Sequence, residues 1–194
     1  MLELLYIGLS AALINNFVLS FFLGICPFLG VSKRLDAAIG MGAAVTFVMT
    51  ISGGVTYLLQ QYALNPLGLQ ILQYTAFIFV IAGTVQFVEL YIQRYFEPLY
   101  RAFGVYLPMI TTNCAVLGGC LLVWSKSYNT LAKALTFNFF GGVGFTLAIV
   151  IMAGLRETLE FADVPRPLRG TPIALFVAAI LAMAFAGFGG MGSH

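Results

Sequence analysis

Long apolar stretches alternate with short charged clusters along the chain, and the lengths of these stretches suit bilayer spans. Between Asp36 and Glu89, 52 consecutive residues carry no charged side chain. A helix needs about 20 apolar residues to cross the hydrocarbon core, so this stretch must hold two spans. Its middle, residues 60–68, contains an Asn-Pro pair and a glycine, which are typical of a turn. The pattern predicts six transmembrane helices, at roughly 4–31, 37–59, 70–93, 103–124, 131–154 and 171–190.

The fold class predicted is an all-α integral membrane protein, with residues 1–194 forming a single membrane domain. Helices are favoured because lipid cannot satisfy backbone polar groups, and no alternating ten-residue strands of a barrel stand out. Hydrophobic residues make up 61% of the chain and charged residues 8%, against about 25% charged in soluble domains. This composition excludes a soluble enzyme and a disordered segment. The net charge of +2 is too small for a nucleic-acid binder.

Lys and Arg side chains are distributed unevenly between the two sets of predicted connections, which indicates the orientation. The connections after spans 1, 3 and 5 hold seven of them, and the opposite set holds only Lys126 and Lys133. Basic loops remain in the cytoplasm, so both termini are expected on the outer side. The connection from Arg156 to Gly170 is the longest polar stretch; it either docks a cytoplasmic partner or only sets the topology. The first span lacks a basic start and is interpreted as retained, not as a signal peptide.

Two segments of the chain share a short pattern and indicate an internal repeat. Residues 26–30 and 114–118 both read C-x-x-L-G inside an apolar span. In the spans that follow, Gly40-Met41-Gly42 with Thr46 is echoed by Gly141-Gly142-Val143-Gly144 with Thr146. Three spans separate the two cysteines, so the matching segments cross in opposite directions. This is typical of an inverted repeat of three helices plus three, with halves at about 1–97 and 98–191.

The two repeated spans, 1 and 4, are predicted to be broken helices. Span 1 has Gly24, Pro27 and Gly30 around Cys26, and Pro27 is expected to break or kink the helix. Span 4 has Pro108 and then a polar run, Thr111-Thr112-Asn113, directly before Cys114. Polar side chains are costly in lipid, so this run should face protein, a cavity or a cofactor.

The chemistry of Cys26 and Cys114 stays open at this level. Thiolates bind Fe–S clusters, Zn and Cu(I), and a complete Fe–S or Zn site needs four ligands. If both cysteines are ligands, a second chain must supply the other two; otherwise they only pack. The third cysteine, Cys120, lies about 240° around the helix from Cys114, and it is expected to pack in the interior.

The motifs around both cysteines resemble those of the RnfA/NqrE family of membrane subunits, and the resemblance covers essentially the whole chain. The cysteine motifs look more like the RnfA type of the Rnf electron-transport complex than like the NqrE type. The residues that carry the resemblance are Asn15–Leu19, Phe22–Phe28, Gly30–Lys33, Gly40–Gly42, Leu107–Pro108, Ile110–Gly118, Arg156–Glu157, Asp163–Pro165 and Arg169–Gly170.

The resemblance implies an intramembrane [2Fe-2S] cluster shared with a homologous RnfE-type subunit of opposite orientation. By motif, Cys26 and Cys114 would be the two metal ligands from this chain. Asn113, Thr111 and Thr112 are the candidates for side chains that line this cofactor and tune its potential by hydrogen bonds. The complex would pass electrons between ferredoxin and NAD and couple this to Na⁺ or H⁺ transport in the bacterial inner membrane. RnfB, RnfC, RnfD and RnfG would be further partners, which carry the flavins and other Fe–S clusters. No catalytic pocket is expected in this chain.

Two alternatives remain. One is an NqrE-like subunit of a sodium-pumping NADH:quinone oxidoreductase. The other is a small secondary transporter without metal, which would alternate access across the inverted repeat. Asn113 and Thr112 have a second interpretation too, since polar side chains also satisfy backbone groups freed at a helix break.

Overall fold

A computed structural model shows a helical protein whose first and fourth predicted spans are interrupted. It describes residues 2–14, 16–32, 34–68, 70–95, 109–110, 112–125, 130–161, 165 and 169–189. The α-helices are α1 (Leu2–Leu9), α2 (Ile25–Val31), α3 (Leu35–Leu59), α4 (Asn65–Leu67), α5 (Gln73–Tyr95), α6 (Cys114–Ser125), α7 (Leu131–Glu160) and α8 (Thr171–Gly189). Two π turns, Ser10–Ile14 and Gln60–Leu64, extend α1 and α3, and a 3₁₀ turn, Gln70–Leu72, precedes α5. No strand occurs among these residues, which confirms the all-α prediction.

Three of the described helices are long and apolar enough to cross a membrane: Leu35–Leu64, Gln73–Tyr91 and Leu131–Glu160. Two others, Cys114–Ser125 and Thr171–Gly187, are apolar but shorter. The chain is therefore a multi-pass membrane protein by the length and composition of its helices. The count of six spans and the division into two repeats stay predictions, because much of span 4 lies outside the described residues.

The centre of the molecule is the pair formed by α3 and α7, which run in opposite directions. A methyl group added to Gly42 would lie 2.5 Å from Thr146 Cγ2, and one added to Gly142 would lie 2.6 Å from Thr46 Cα. The hydroxyl oxygens of Thr46 and Thr146 are 3.2 Å apart. Each helix thus places a glycine against the threonine of the other, and the two segments that echo each other in sequence meet at this crossing.

Helix α1 packs on α7 in the parallel direction. A methyl group at Gly8 would lie 2.6 Å from the ring of Phe140, and four residues further along both helices Gly144 approaches the backbone of Ala12. Spans 1 and 5 therefore run the same way and span 2 runs against them, which are the directions that the charge pattern predicts for these three spans.

Two predicted boundaries differ from the structure. Residues 60–67, predicted as a turn, continue α3 as a π turn and then as α4; the chain leaves the helix only at Gly68, whose φ is 66°. Pro66 stands directly after the π turn, within the same continuous run of helical residues. Helix α7 continues to Glu160, so Arg156 belongs to a helix and not to a connection.

Candidate functional site

The first broken helix is interrupted between Asn16 and Gly24, and the Asn16 side chain organises the interruption. Its Oδ1 accepts hydrogen bonds from the backbone N–H groups of Val18 (3.1 Å) and Leu19 (3.4 Å). Its Nδ2 donates to the Gly144 carbonyl at 2.9 Å. An Asn side chain that bonds to its own backbone competes with the helical ladder, and here the same side chain also bonds to α7. Asn15 lies outside the described residues.

Cys26 stands in the first turn of α2, directly after the interruption. Gly24 precedes the helix with a φ of 83°, a left-handed conformation that favours glycine. The prediction that Pro27 breaks the helix was wrong: Pro27 is the third residue of α2, where the N–H has no acceptor within the helix in any case. The break lies earlier, at the segment that Asn16 holds.

Cys114 is the first residue of α6, and Asn113 caps that helix. Asn113 Oδ1 accepts a hydrogen bond from the Ala115 N–H at 3.0 Å, which satisfies one of the free amides of the first turn. Asn113 is buried, and its Nδ2 has no hydrogen-bond partner. Thr112 is exposed, and its carbonyl oxygen lies 4.0 Å from Cys114 Sγ. Pro108 and Thr111 lie outside the described residues.

The structure brings the two breaks together. A methyl group added to Gly24 would lie 3.0 Å from Asn113 Oδ1 and 3.2 Å from Ala115 Cβ. The residues just before Cys26 and just before Cys114 are therefore in contact, although 88 positions separate the two cysteines in the chain. Both cysteines are exposed. This exposure fits ligands that face another chain better than it fits packed side chains.

Cys120 is separate from this pair. It is buried in the hydrophobic core. The prediction that it faces away from Cys114 and packs in the interior is confirmed.

Arg156, which the sequence did not mark as part of the site, holds the far end of α2. Its Nη1 donates to the Leu29 carbonyl at 2.7 Å and to Ser32 Oγ at 2.9 Å. The last carbonyls of a helix have no partner within it, and a cation at this end also interacts favourably with the helix dipole. The only signal in the sequence was the resemblance around Arg156–Glu157, which does not name a partner 127 residues away.

The donors present fit a shared Fe–S cluster but do not complete one. Two exposed thiols lie on adjacent helix starts, and the buried side chain of Asn113, directly before Cys114 in the chain, has an amide nitrogen with no hydrogen-bond partner. No group of three or more His, Cys, Asp or Glu side chains that could hold a metal occurs in the part of the chain that the structure describes. The full sequence has three cysteines, so a four-cysteine cluster at Cys26 and Cys114 would need ligands from a second chain.

Known proteins that match this chain are membrane subunits. The chain matches the family described as Rnf-Nqr subunit, membrane protein, over residues 4–192. The A subunit of the Na⁺-translocating ferredoxin:NAD⁺ oxidoreductase complex of Acetobacterium woodii is 54% identical over 191 residues, which is 98% of each chain. The A subunits of the ion-translocating oxidoreductase complexes of Syntrophotalea carbinolica and Vibrio cholerae are 52% and 46% identical over the same share of each chain. The protein is a member of the Rnf-Nqr family of membrane subunits.

Proposed function

We propose that this chain is the A-type membrane subunit of an ion-translocating ferredoxin:NAD oxidoreductase complex of the Rnf kind. Within it, the chain would supply two of the four cysteine ligands of an intramembrane [2Fe-2S] cluster. The observation that carries the proposal is the contact between the two helix breaks, which places exposed Cys26 and Cys114 at neighbouring helix starts. The names of the near full-length relatives support the type of complex.

An RnfE-type subunit of opposite orientation would supply the other two cysteines. A homologous partner related by a pseudo-two-fold axis would present the same pair of exposed thiols, so that two and two make the four ligands of a cluster. RnfB, RnfC, RnfD and RnfG would carry the flavins and other clusters of the electron path. This chain would then need no pocket for ferredoxin or NAD.

In this proposal, the residues around the two thiols stabilise the thiolates and tune the potential of the cluster. Cysteine binds metal as the thiolate, and the first turn of α6 presents its positive dipole end at Cys114. The unpaired Nδ2 of Asn113 can donate a hydrogen bond to a thiolate or to a cluster sulfide, and the Thr112 backbone lies beside Cys114 Sγ. Such hydrogen bonds and the degree of burial set the potential of a cluster. The cluster would add reversible one-electron transfer within the membrane.

The location follows from the same proposal. The chain would lie in the bacterial inner membrane with both termini on the outer side, because seven of nine Lys and Arg residues fall in one set of predicted connections. Coupled transport would move Na⁺ or H⁺; the Acetobacterium woodii relative is named for Na⁺.

The test is cysteine replacement in the complete complex. In Cys26→Ser and Cys114→Ser, we expect loss of the membrane cluster, measured as about two fewer iron atoms per complex, as loss of its EPR signal, and as loss of ferredoxin:NAD electron transfer. Cys120→Ser is the matched control because Cys120 lies on the same helix as Cys114 but is buried in the core. A full iron content and EPR signal in either of the first two variants would refute the ligand assignment.

A further inference from the structure

The interruption of span 1 lies near the middle of the membrane. Where it begins, Asn16 Nδ2 donates to the Gly144 carbonyl at 2.9 Å. Where it ends, a methyl group added to Gly24 would lie 3.0 Å from Phe145 Cε2. Gly144 and Phe145 are the 14th and 15th of the 30 residues of α7. Both ends of the interruption therefore lie level with the middle of a helix that is long enough to cross the membrane.

Part of this interruption is exposed, and lipid cannot cover it at low cost. Ser20, Phe21 and Phe22 lie outside any helix and are exposed, the two phenylalanines by 44% and 56%. Non-helical backbone at this depth is tolerated where protein buries it or where it lines a water-filled cavity. Apolar side chains avoid water, so the two exposed phenylalanines favour protein. Another chain is therefore expected to cover residues 20–22.

Phe22 has a strained backbone conformation. Its φ is 55°, in the left-handed region that is costly for a bulky side chain and that glycine adopts freely. No other non-glycine residue has a positive φ in the part of the chain that the structure describes. Such strain persists where surrounding contacts compensate for it, and it is typical of functional sites. Since more than half of the Phe22 side chain is exposed, we expect the compensating contacts to come from outside this chain.

The exposed segment lies beside both cysteines. The Leu23 side chain, one residue after Phe22, packs against α6: a methyl group added to Gly118 would lie 2.6 Å from Leu23 Cδ1. Gly118 stands four residues after Cys114 in α6 and so on the same face of that helix. Cys26 follows Phe22 by four residues in the chain. A second chain that brings its own thiols to Cys26 and Cys114 therefore comes close to Phe22.

We propose that residues 20–22 form the surface on which the second, RnfE-type chain docks, with Phe22 as the anchor of the contact. The proposal rests on the proposed function, which gives that chain two of the four cysteine ligands. The docked chain would bury the Phe22 ring and so compensate for its backbone conformation. Aromatic side chains buried at the centre of an interface carry a large share of the binding energy. The same contact would keep water away from the cluster.

Photocrosslinking identifies what covers Phe22. The photoreactive residue p-benzoylphenylalanine replaces Phe22 in cells that make the complete complex, and the membranes are irradiated before purification. We expect an adduct with the RnfE-type subunit, in a peptide next to one of its cysteines. The same replacement at Phe79, which is 80% exposed on α5, is the control and should give no adduct with these peptides. An adduct with lipid alone, an adduct with a different subunit, or no adduct would overturn the proposal.

The variant Phe22→Gly separates docking from folding. Glycine adopts a φ of 55° without strain, so the chain itself should fold, but the anchoring ring is lost. We expect the two membrane subunits to separate about tenfold faster in detergent, whereas Phe79→Ala should not change this rate. An unchanged rate in Phe22→Gly would overturn the role of Phe22. Iron is measured in the same samples: its absence from the wild type contradicts the proposed function, whereas a wild type that contains iron but gives no crosslink from position 22 contradicts the docking surface alone.

Discussion

At the residue scale, two glycines of α7 hold the core together by lacking a side chain. A methyl group on Gly142 would lie 2.6 Å from Thr46 Cα, and one on Gly144 would lie 2.6 Å from the Ala12 carbonyl oxygen. Both obstacles are backbone atoms, which cannot move aside as a side chain can. Small residues that let backbones approach are what associates helices in lipid, where the hydrophobic effect between helices is absent.

Gly142→Ala should therefore destabilise the complex. Overpacking a close contact costs about 1–3 kcal/mol, so we expect the midpoint of thermal unfolding in detergent to fall by several degrees. Gly154→Ala is the control on the same helix, since nothing lies within 4 Å of a methyl group there. That variant should be neutral or slightly stabilising, because Ala is the better helix former. A loss of equal size in both would show that the close approach is not the cause.

The sequence predicted where a single side chain lies only when the spacing of residues within one helix determines it. The 240° between Cys114 and Cys120 predicted correctly that the two side chains lie on different faces of the helix and that Cys120 packs in the interior. The partners of Asn16 and Arg156 were not predictable. Gly144 lies 128 residues from Asn16, and the bond goes to a backbone carbonyl that any residue type would offer.

At the scale of elements, α2 is a helix of seven residues held at both ends by α7. Asn16 bonds to Gly144 before α2 begins, and Arg156 bonds to Leu29 and Ser32 where it ends. A helix this short is unstable by itself. The position of Cys26 therefore depends on contacts made by another span.

Removing the Arg156 side chain should loosen α2. In Arg156→Ala, the Leu29 carbonyl and Ser32 hydroxyl lose their donor, which costs about 1–3 kcal/mol. We expect amide hydrogen exchange in residues 25–31 to accelerate about tenfold or more. Glu157→Ala, at the exposed neighbouring position, should leave the exchange unchanged. Unaltered protection of α2 in Arg156→Ala would mean that its other contacts suffice to hold it.

The ends of the helices were the least predictable elements, for a physical reason. Asn-Pro and Gly signal turns in water, yet a transmembrane helix tolerates them when neighbouring groups satisfy the freed backbone. Residues 60–67 are helical despite these signals. The break in span 1 was predicted at Pro27 because proline is the best-known breaker, but Asn16 and Gly24 bound the interruption.

At the scale of the whole molecule, the directions in which α1, α3 and α7 run match the charge pattern. These directions do not show which ends of the helices face the cytoplasm. The side follows from Lys and Arg alone. The packing of α1, α3 and α7 fits either orientation, because it fixes only which of these helices run parallel and which antiparallel.

Reporter fusions test the orientation. We expect alkaline phosphatase fused to the C-terminus to be active, since that enzyme folds only outside the cytoplasm, and green fluorescent protein at the same position to be dark. Fusions truncated in the connection after α7 should show the opposite pair of results. Fluorescence at the C-terminus would reverse the assignment and place the basic connections outside.

The reciprocal glycine and threonine contacts between α3 and α7 also constrain how the chain is made. Thr46 and Thr146 are 100 residues apart, and a ribosome adds about 5–20 residues per second. For roughly 5–20 s after Thr46 is synthesised, its helix has no α7 to pack against. During that interval the newly inserted α3 must be covered by lipid or by an insertion factor. During synthesis, the face of α3 that later packs on α7 is thus in contact with lipid or with an insertion factor. In the finished molecule, α7 covers this face instead.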